Sequence, residues 1–146
     1  MTTIAYRDGI LAADTLGTRH GMRNGLSVKI AARGGLLAGA SGASDRCKAF
    51  RDWFITGCKG HCPAMGDPEK DWGEGFIITH DDRILTFGPT TFWLDRPFNG
   101  MFAAGSGREF ALGAMAAGAD AIRAIEIART FDVNTGGEIT ILKREA

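Results

Sequence analysis

The chain has 146 residues, 45% of them hydrophobic and 23% charged, which suits one domain, residues 1–146, with a hydrophobic core of its own. Seventeen basic residues balance seventeen acidic ones, so it lacks the electrostatic footprint of a nucleic-acid binder or of a protein held on an anionic membrane surface. No apolar run approaches the roughly 18 residues a membrane span needs, and the start has no basic region followed by an apolar stretch. With three cysteines, an odd number, the expectation is a soluble, cytoplasmic chain without a disulfide framework. The unusual count is glycine, at 21, which suits a compact fold with many tight turns.

In chain order, two β-rich runs, Thr2 to Tyr6 and Ile10 to Asp14, flank Arg7-Asp8-Gly9, whose Asp-Gly pair signals a hairpin. A second hairpin is expected from Leu26 to Ala32 and Leu36 to Ala40 around Arg33-Gly34-Gly35. From Ser44 the apolar residues Ala49, Phe50, Trp53 and Phe54 recur at helical spacing among charged ones, predicting an amphipathic helix that ends near Gly57. Gly57 to Gly73 reads as a loop. Gly75 to Thr79 and Arg83 to Phe87 make a third hairpin, and Thr91 to Leu94 and Met101 to Ala104 are short strands. Arg108 to Ala117 and Asp120 to Phe131 read as helices broken at Gly118, before a closing strand from Glu138 to Lys143. Strand-rich layers with segregated helices make an α+β class, two sheets between helical layers.

The two ends of the chain carry the chemistry. Met1-Thr2-Thr3 places a threonine where removal of Met1 would free an α-amine beside a hydroxyl, and such a terminal threonine can use its own amine as general base. Asp132-Val133-Asn134-Thr135-Gly136-Gly137 is a turn able to hold that amine and hydroxyl in register. Taken singly, each piece has a plainer reading. Asp14 or Lys29 at a strand end is usually a solvated charge, Asp-x-x-Thr-Gly is usually a turn, and Gly105-Ser106-Gly107 before a helix is often a cap or an anion nest.

In order along the chain, Thr2-Thr3-Ile4, Ala12-Ala13-Asp14, Val28-Lys29-Ile30, Ala38-Gly39-Ala40-Ser41-Gly42, Ala104-Gly105-Ser106-Gly107 and Asp132-x-x-Thr135-Gly136-Gly137 resemble a proteasome β-type subunit. The nearest pattern is that of the HslV-like threonine peptidases, within the N-terminal-nucleophile hydrolases. The resemblance implies a four-layer αββα sandwich and assigns roles. Thr2 would be the nucleophile and its α-amine, with a reference pKa of about 8, the proton acceptor. Lys29 would disfavour protonation of that amine, and Asp14 would orient Lys29. Gly39 would offer its N–H to the oxyanion. Ser106, Asp132 and Thr135 would form a hydrogen-bonded cluster around the amine, with Thr135 where the family commonly has serine.

Two departures from the family pattern mark a compact bacterial or phage-type member. The Thr2 to Asp14 segment is a few residues shorter, and the loop Gly57 to Gly73 stands in place of the second helix of the usual central pair. The resemblance also implies a homo-oligomeric ring, a polypeptide substrate and an ATP-dependent unfoldase partner. The chain has no phosphate-binding loop of its own, so any ATP dependence would come from that partner. No cofactor is required for peptide hydrolysis. Cys58, His61 and Cys62, with Cys47 eleven residues earlier, offer the ligand count of a structural zinc, against the plainer reading of ordinary thiols. Ser27, Ala31, Leu37 and Ser41 are expected to line an apolar specificity pocket beside Thr2. Two other function classes share the fold: a catalytically silent assembly protein, and an amidase acting on small molecules.

Overall fold

The computed structural model describes residues 2–65, 73–88 and 91–144. Its elements run β1 (Thr3–Arg7), β2 (Ile10–Ala13), β3 (Leu16–Arg19), β4 (Met22–Leu26), β5 (Ile30–Arg33), β6 (Leu36–Ser41), α1 (Ser44–Ile55), β7 (Glu74–Ile78), β8 (Ile84–Phe87), β9 (Phe92–Leu94), β10 (Met101–Gly105), α2 (Arg108–Ala116), α3 (Ala121–Phe131) and β11 (Thr140–Lys143). The class is α+β.

Glycine placement explains most of the connections. Asp8-Gly9, His20-Gly21, Gly34-Gly35 and Asn99-Gly100 each put two successive residues at positive φ. They join the facing pairs Arg7 and Ile10, Arg19 and Met22, Arg33 and Leu36, and Phe98 and Met101. That is the two-residue turn whose twist matches the strands it connects, with glycine second in every case. Gly57, at φ 106°, ends α1 in the same spirit. Its N–H donates to the Phe54 carbonyl and the Cys58 N–H to the Trp53 carbonyl, closing the last turn of the helix. Gly118, at φ 111°, separates α2 from α3, whose first turn is capped by the Asp120 carboxylate accepting the Arg123 N–H at 2.7 Å.

The strands form a four-stranded sheet in the order β10-β1-β2-β11, a five-stranded sheet β5-β6-β7-β8-β9, and a two-stranded ribbon β3-β4. All pairings are antiparallel. Three apolar clusters hold them together. Ile4, Tyr6 and Leu11 of the four-stranded sheet meet Ile30, Leu37, Phe76, Ile78 and Ile84 of the five-stranded one. Ala38, Ala40, Ile77 and Phe87 pack against Phe50 and Phe54 of α1. Ala5 and Ala12 pack against Ala111 and Met115 of α2 and Ala121, Ala124 and Ile125 of α3. Each sheet therefore alternates along its strands between one core and the next, and the alanines let helices sit close to the four-stranded sheet.

Two expectations need revision. The run from Leu26 to Ala32 is not one strand: Leu26 ends β4, and β5 begins at Ile30. The β3-β4 ribbon between the first two hairpins is exposed along the whole of β4, so no alternation of buried and exposed residues marks it in the sequence. The stretch 57–65 carries no helix or strand, in line with a loop, and its Met65 is buried in the α1 cluster; the rest of that predicted loop up to residue 72 lies outside the described residues. Among the described residues no helix is long and apolar enough to cross a membrane.

Antiparallel pairing gathers distant residues at one pole. Thr3 at the start of β1 lies across from Gly105 at the end of β10, while Asp14 directly follows β2, and Lys29 directly precedes β5.

Candidate active site

Asp14 is the centre of this pole. Its carboxylate is fully buried, and one oxygen, Oδ1, accepts both the Thr3 N–H at 2.9 Å and the Lys29 ammonium at 2.8 Å. The other, Oδ2, accepts the Gly136 N–H at 3.0 Å. One side chain thus ties the start of the chain to a lysine on the other sheet and to the Asp132–Gly137 turn. The Lys29 ammonium also donates to the Leu16 carbonyl at 2.9 Å. Burial pushes the pKa of Lys29 down, and the charge and hydrogen bond of Asp14 pull it partly back; the net lies below the ordinary lysine value. A lysine in that condition gives up a proton more readily than a solvated one.

A second set of bonds surrounds the first residues of the chain. The Asp132 carboxylate accepts the Ser106 and Thr135 hydroxyls, each at 2.6 Å. Ser106 Oγ also lies 3.3 Å from the Thr2 carbonyl oxygen, and Thr135 Oγ1 lies 2.6 Å from Thr3 Oγ1. Burial pushes the Asp132 carboxyl up, but the hydrogen bonds from Ser106, Thr135 and the Asn134 N–H outweigh it and hold the group below the ordinary carboxylate range. It therefore stays ionised near neutral pH and accepts from both hydroxyls. Thr2, Asp14, Lys29, Ser106, Asp132 and Thr135 are brought together in this way around the start of the chain.

Glycines make the close approach possible. Gly105, at φ 93°, lies against the Thr2 carbonyl, and a Cβ on Gly107 would run into Thr3 Oγ1 and stand 3.2 Å from Asp132 Oδ2 and from Thr135 Oγ1. Gly107→Ala is expected to lower stability by about 1–3 kcal/mol through overpacking, a fall of roughly 5 °C in melting temperature. Gly113→Ala, on an open stretch of α2 where a Cβ meets nothing within 4 Å, is expected to raise it slightly instead. Equal melting temperatures for Gly107→Ala and the parent chain would show that the cluster has slack.

Gly39 stands apart from this cluster. It sits in the middle of β6, across from Ile30 on one side and Phe76 on the other, and a Cβ there would press on the Phe76 ring and on Ile4. A residue in a strand flanked on both sides spends its N–H in the ladder. Gly42 differs: it follows the last residue of β6, at φ 122°, and its N–H has no acceptor among the described residues. Along β6 successive N–H groups alternate between neighbours, and Ala40 donates to the Lys29 carbonyl at 3.2 Å, so the Gly42 N–H is the next on that side. Of the expected pocket residues, Leu37 lies in the core between the sheets, Ala31 packs under α1 and Ser41 is buried at the end of β6, while Ser27 is exposed. Sequence reasoning also missed Thr3, Gly107, Gly136 and the Leu16 carbonyl; the doubled glycines around Ser106 and after Thr135 were the available signal.

Among the described residues, no group of three or more His, Cys, Asp or Glu side chains is placed to hold a metal ion. Cys47, Cys58 and Cys62 instead pack against the α1 cluster, while His61 is exposed. Burial pushes the Cys47 and Cys62 thiols up to about 11, which keeps them protonated at neutral pH.

No protein-family model matches the sequence, and no curated protein does. Solved structures match it well. Thiobacillus denitrificans BPH is similar with a TM-score of 0.67 at 20% identity, over 99% of this chain and 98% of that one. The same protein in complex with epoxomicin gives 0.67 at 19% identity, over 99% of each chain. The eukaryotic HslV from Trypanosoma brucei gives 0.69 at 17% identity, over 98% of this chain and 99% of that one. Across its whole length the chain therefore has the fold of the HslV-like, proteasome-type peptidases that the order of its motifs resembles.

Proposed function

We propose that this chain is the threonine-type endopeptidase subunit of a self-compartmentalised, HslV-like protease, a four-layer αββα sandwich whose nucleophile is Thr2 once Met1 is removed. The observation that carries this reading is the shared Asp14 oxygen, which couples the backbone next to Thr2 to a buried lysine of lowered pKa. A buried ion pair placed against the start of a chain has little use as a stabilising device, because its desolvation offsets most of its attraction. It makes sense as a means of setting protonation there.

In this mechanism the Thr2 hydroxyl attacks the scissile carbonyl and passes its proton to the Thr2 α-amine. The Lys29 cation disfavours protonation of that amine beforehand, and Ser106 and Asp132 hold the residue that carries it. The oxyanion donor in this reading is a backbone N–H of this segment, that of Gly39 as the resemblance implies or that of Gly42 just past the end of β6. Collapse of the tetrahedral intermediate releases the amine product and leaves an ester on Thr2, which water then hydrolyses. A cytoplasmic homo-oligomeric ring fed with polypeptide by an ATP-driven unfoldase would keep this unselective nucleophile away from folded proteins. The similarity to HslV supports that arrangement.

The test is the intact mass of the purified protein with and without a threonine-directed electrophile such as a β-lactone. Epoxomicin, the compound held by one similar structure, serves as a second probe. The expected result is loss of Met1 and a single adduct that the Thr2→Ala variant does not form. A chain that keeps Met1 and takes no adduct would support the assembly-protein alternative, and cleavage confined to small amides by an open monomer would support the amidase.

A further inference from the structure

The two sheets are unequal, and the difference leaves part of one uncovered. Four strands face five: β2 and β11 lie against β5, and β10, the last strand of the four-stranded sheet, lies against β6. From β10 the Phe102 ring reaches Phe76 of β7, with 4.9 Å between the ring centres. Two rows of side chains cross the inner face of the five-stranded sheet, Phe76, Thr86 and Phe92 in one and Ile78, Ile84 and Leu94 in the other. The first two residues of each row are buried, but at β9 the cover stops: Phe92 is 51% exposed and Leu94 36%. β9 is also an edge strand, with no neighbour beyond it among the described residues.

The other side of the molecule carries the converse, a layer with nothing to cover. The β3-β4 ribbon belongs to neither sheet and runs through residues 27–29 into β5. It exposes Met22 at 65% and Leu26 at 68%, and Val28 just past its end is half-exposed. β5 and β9 are opposite edges of their sheet, four strand spacings or roughly 19 Å apart, and the chain's own ribbon leaves β9 bare. Apolar strips of this kind on a folded chain mark contact surfaces. We propose that the ribbon of one copy seats on the bare inner face of β9 of the next copy, with Met22 and Leu26 against Phe92 and Leu94. Charge favours this pairing over ribbon against ribbon. Residues 16–28 hold Arg19 and Arg23 and no acidic residue, so two ribbons face to face would repel, whereas the end of β9 carries both signs in Asp95 and Arg96. A contact between two different surfaces of identical chains is head-to-tail, and it closes into a ring when the rotation between neighbours allows. The inference deepens the ring of the reading above and rests on it for closure, but not on the chemistry at Thr2.

Analytical ultracentrifugation of the full chain and of two single-face variants tests it. The parent is expected to sediment as an assembly of more than two copies. Met22→Glu spoils the ribbon and Phe92→Glu the β9 face, and each is expected to sediment as one chain of 15.6 kDa. Circular dichroism checks that both stay folded, and Leu26→Gln and Leu94→Gln repeat the test on the same two faces. The decisive arm is an equal mixture of the two variants, concentrated as far as they stay soluble. The Met22→Glu copy keeps a sound β9 face and the Phe92→Glu copy a sound ribbon, so one contact and no more can form, and the mixture should sediment at twice the mass of one chain. Folded variants that keep the parent's mass would overturn the contact while leaving a ring built on other surfaces. Variants that dissociate and do not recombine would overturn the head-to-tail pairing, and a monomeric parent would overturn both contact and ring. The electrophile adduct at Thr2 reports on the chemistry separately in every case.

Discussion

Asp14→Ala is expected to lower stability by about 3–5 kcal/mol, because it takes the Asp14 carboxylate away from the buried Lys29 ammonium. The fall in melting temperature should be roughly 10 °C for a chain of this length. The same change strips the Thr3 and Gly136 N–H groups of their acceptor, so the start of the chain and the Asp132 turn come loose together. Lys29→Met in the Asp14→Ala background removes the buried charge and should recover part of the loss, although not the two backbone bonds. The pH dependence follows from the lowered pKa of Lys29, which falls further once Asp14 is gone. Between the folded and unfolded lysine values the unfolded chain binds more protons, so stability rises with pH across that window. The deficit of Asp14→Ala relative to the parent is therefore expected to be largest below the variant's folded lysine pKa and to shrink as pH rises through the parent's folded lysine pKa, since titration of the unfolded lysine is common to both chains and cancels. Melting curves across that range check it. A deficit that stays constant with pH would mean that Lys29 is already neutral in the folded chain.

What could be read from the residues alone follows local chemistry closely. Asp8-Gly9 and Gly34-Gly35 announce their hairpins because only certain residues accept two successive positive φ values, and Gly57 and Gly118 stop their helices for the same reason. The His20-Gly21 turn obeys the same rule, yet β4 is exposed along its length and neither strand carries the period-two pattern that would have marked it. At the site, Asp14, Lys29 and the pairing of the two were expected from the resemblance that motif order carries, whereas the local sequence around neither residue shows the contact. That contact depends on the pairing of β1 with β2 and on the packing of one sheet over the other, which no local window contains. Gly39 has a packing role that its motif does not announce. A glycine in a motif invites a role as a close-approach donor, but here its missing side chain makes room for Phe76 and Ile4 between the sheets. The Cys58 to Cys62 spacing suggests ligands, and in the fold the three thiols pack against the α1 cluster.

The two threonines at the start of the chain should separate cleanly. Thr3 is fully buried, its N–H is held by Asp14, and its hydroxyl lies 2.6 Å from that of Thr135, itself held by Asp132. Its hydroxyl is a member of the hydrogen-bonded cluster and is not available to attack a substrate. Thr2 is held through its carbonyl and through the residue that follows it, an arrangement that fixes the backbone and leaves chemistry to the side chain. Thr2→Ala is accordingly expected to lower peptide hydrolysis by roughly 10³-fold or more while leaving the melting temperature nearly unchanged. Thr2→Ser, which keeps a hydroxyl on the same backbone, should retain measurable turnover. Thr3→Val preserves shape but removes a bonded hydroxyl from the cluster, at a cost of about 1–3 kcal/mol, and should lower the melting temperature while hydrolysis persists above the Thr2→Ala level. Kinetics and melting measured on the three variants side by side decide the assignment. Full activity in Thr2→Ala, with activity lost in Thr3→Val at an unchanged melting temperature, would move the nucleophile to Thr3. The Asp14, Lys29 and Asp132 contacts would then have to be read as fixing the wrong residue, which their geometry around Thr3 argues against.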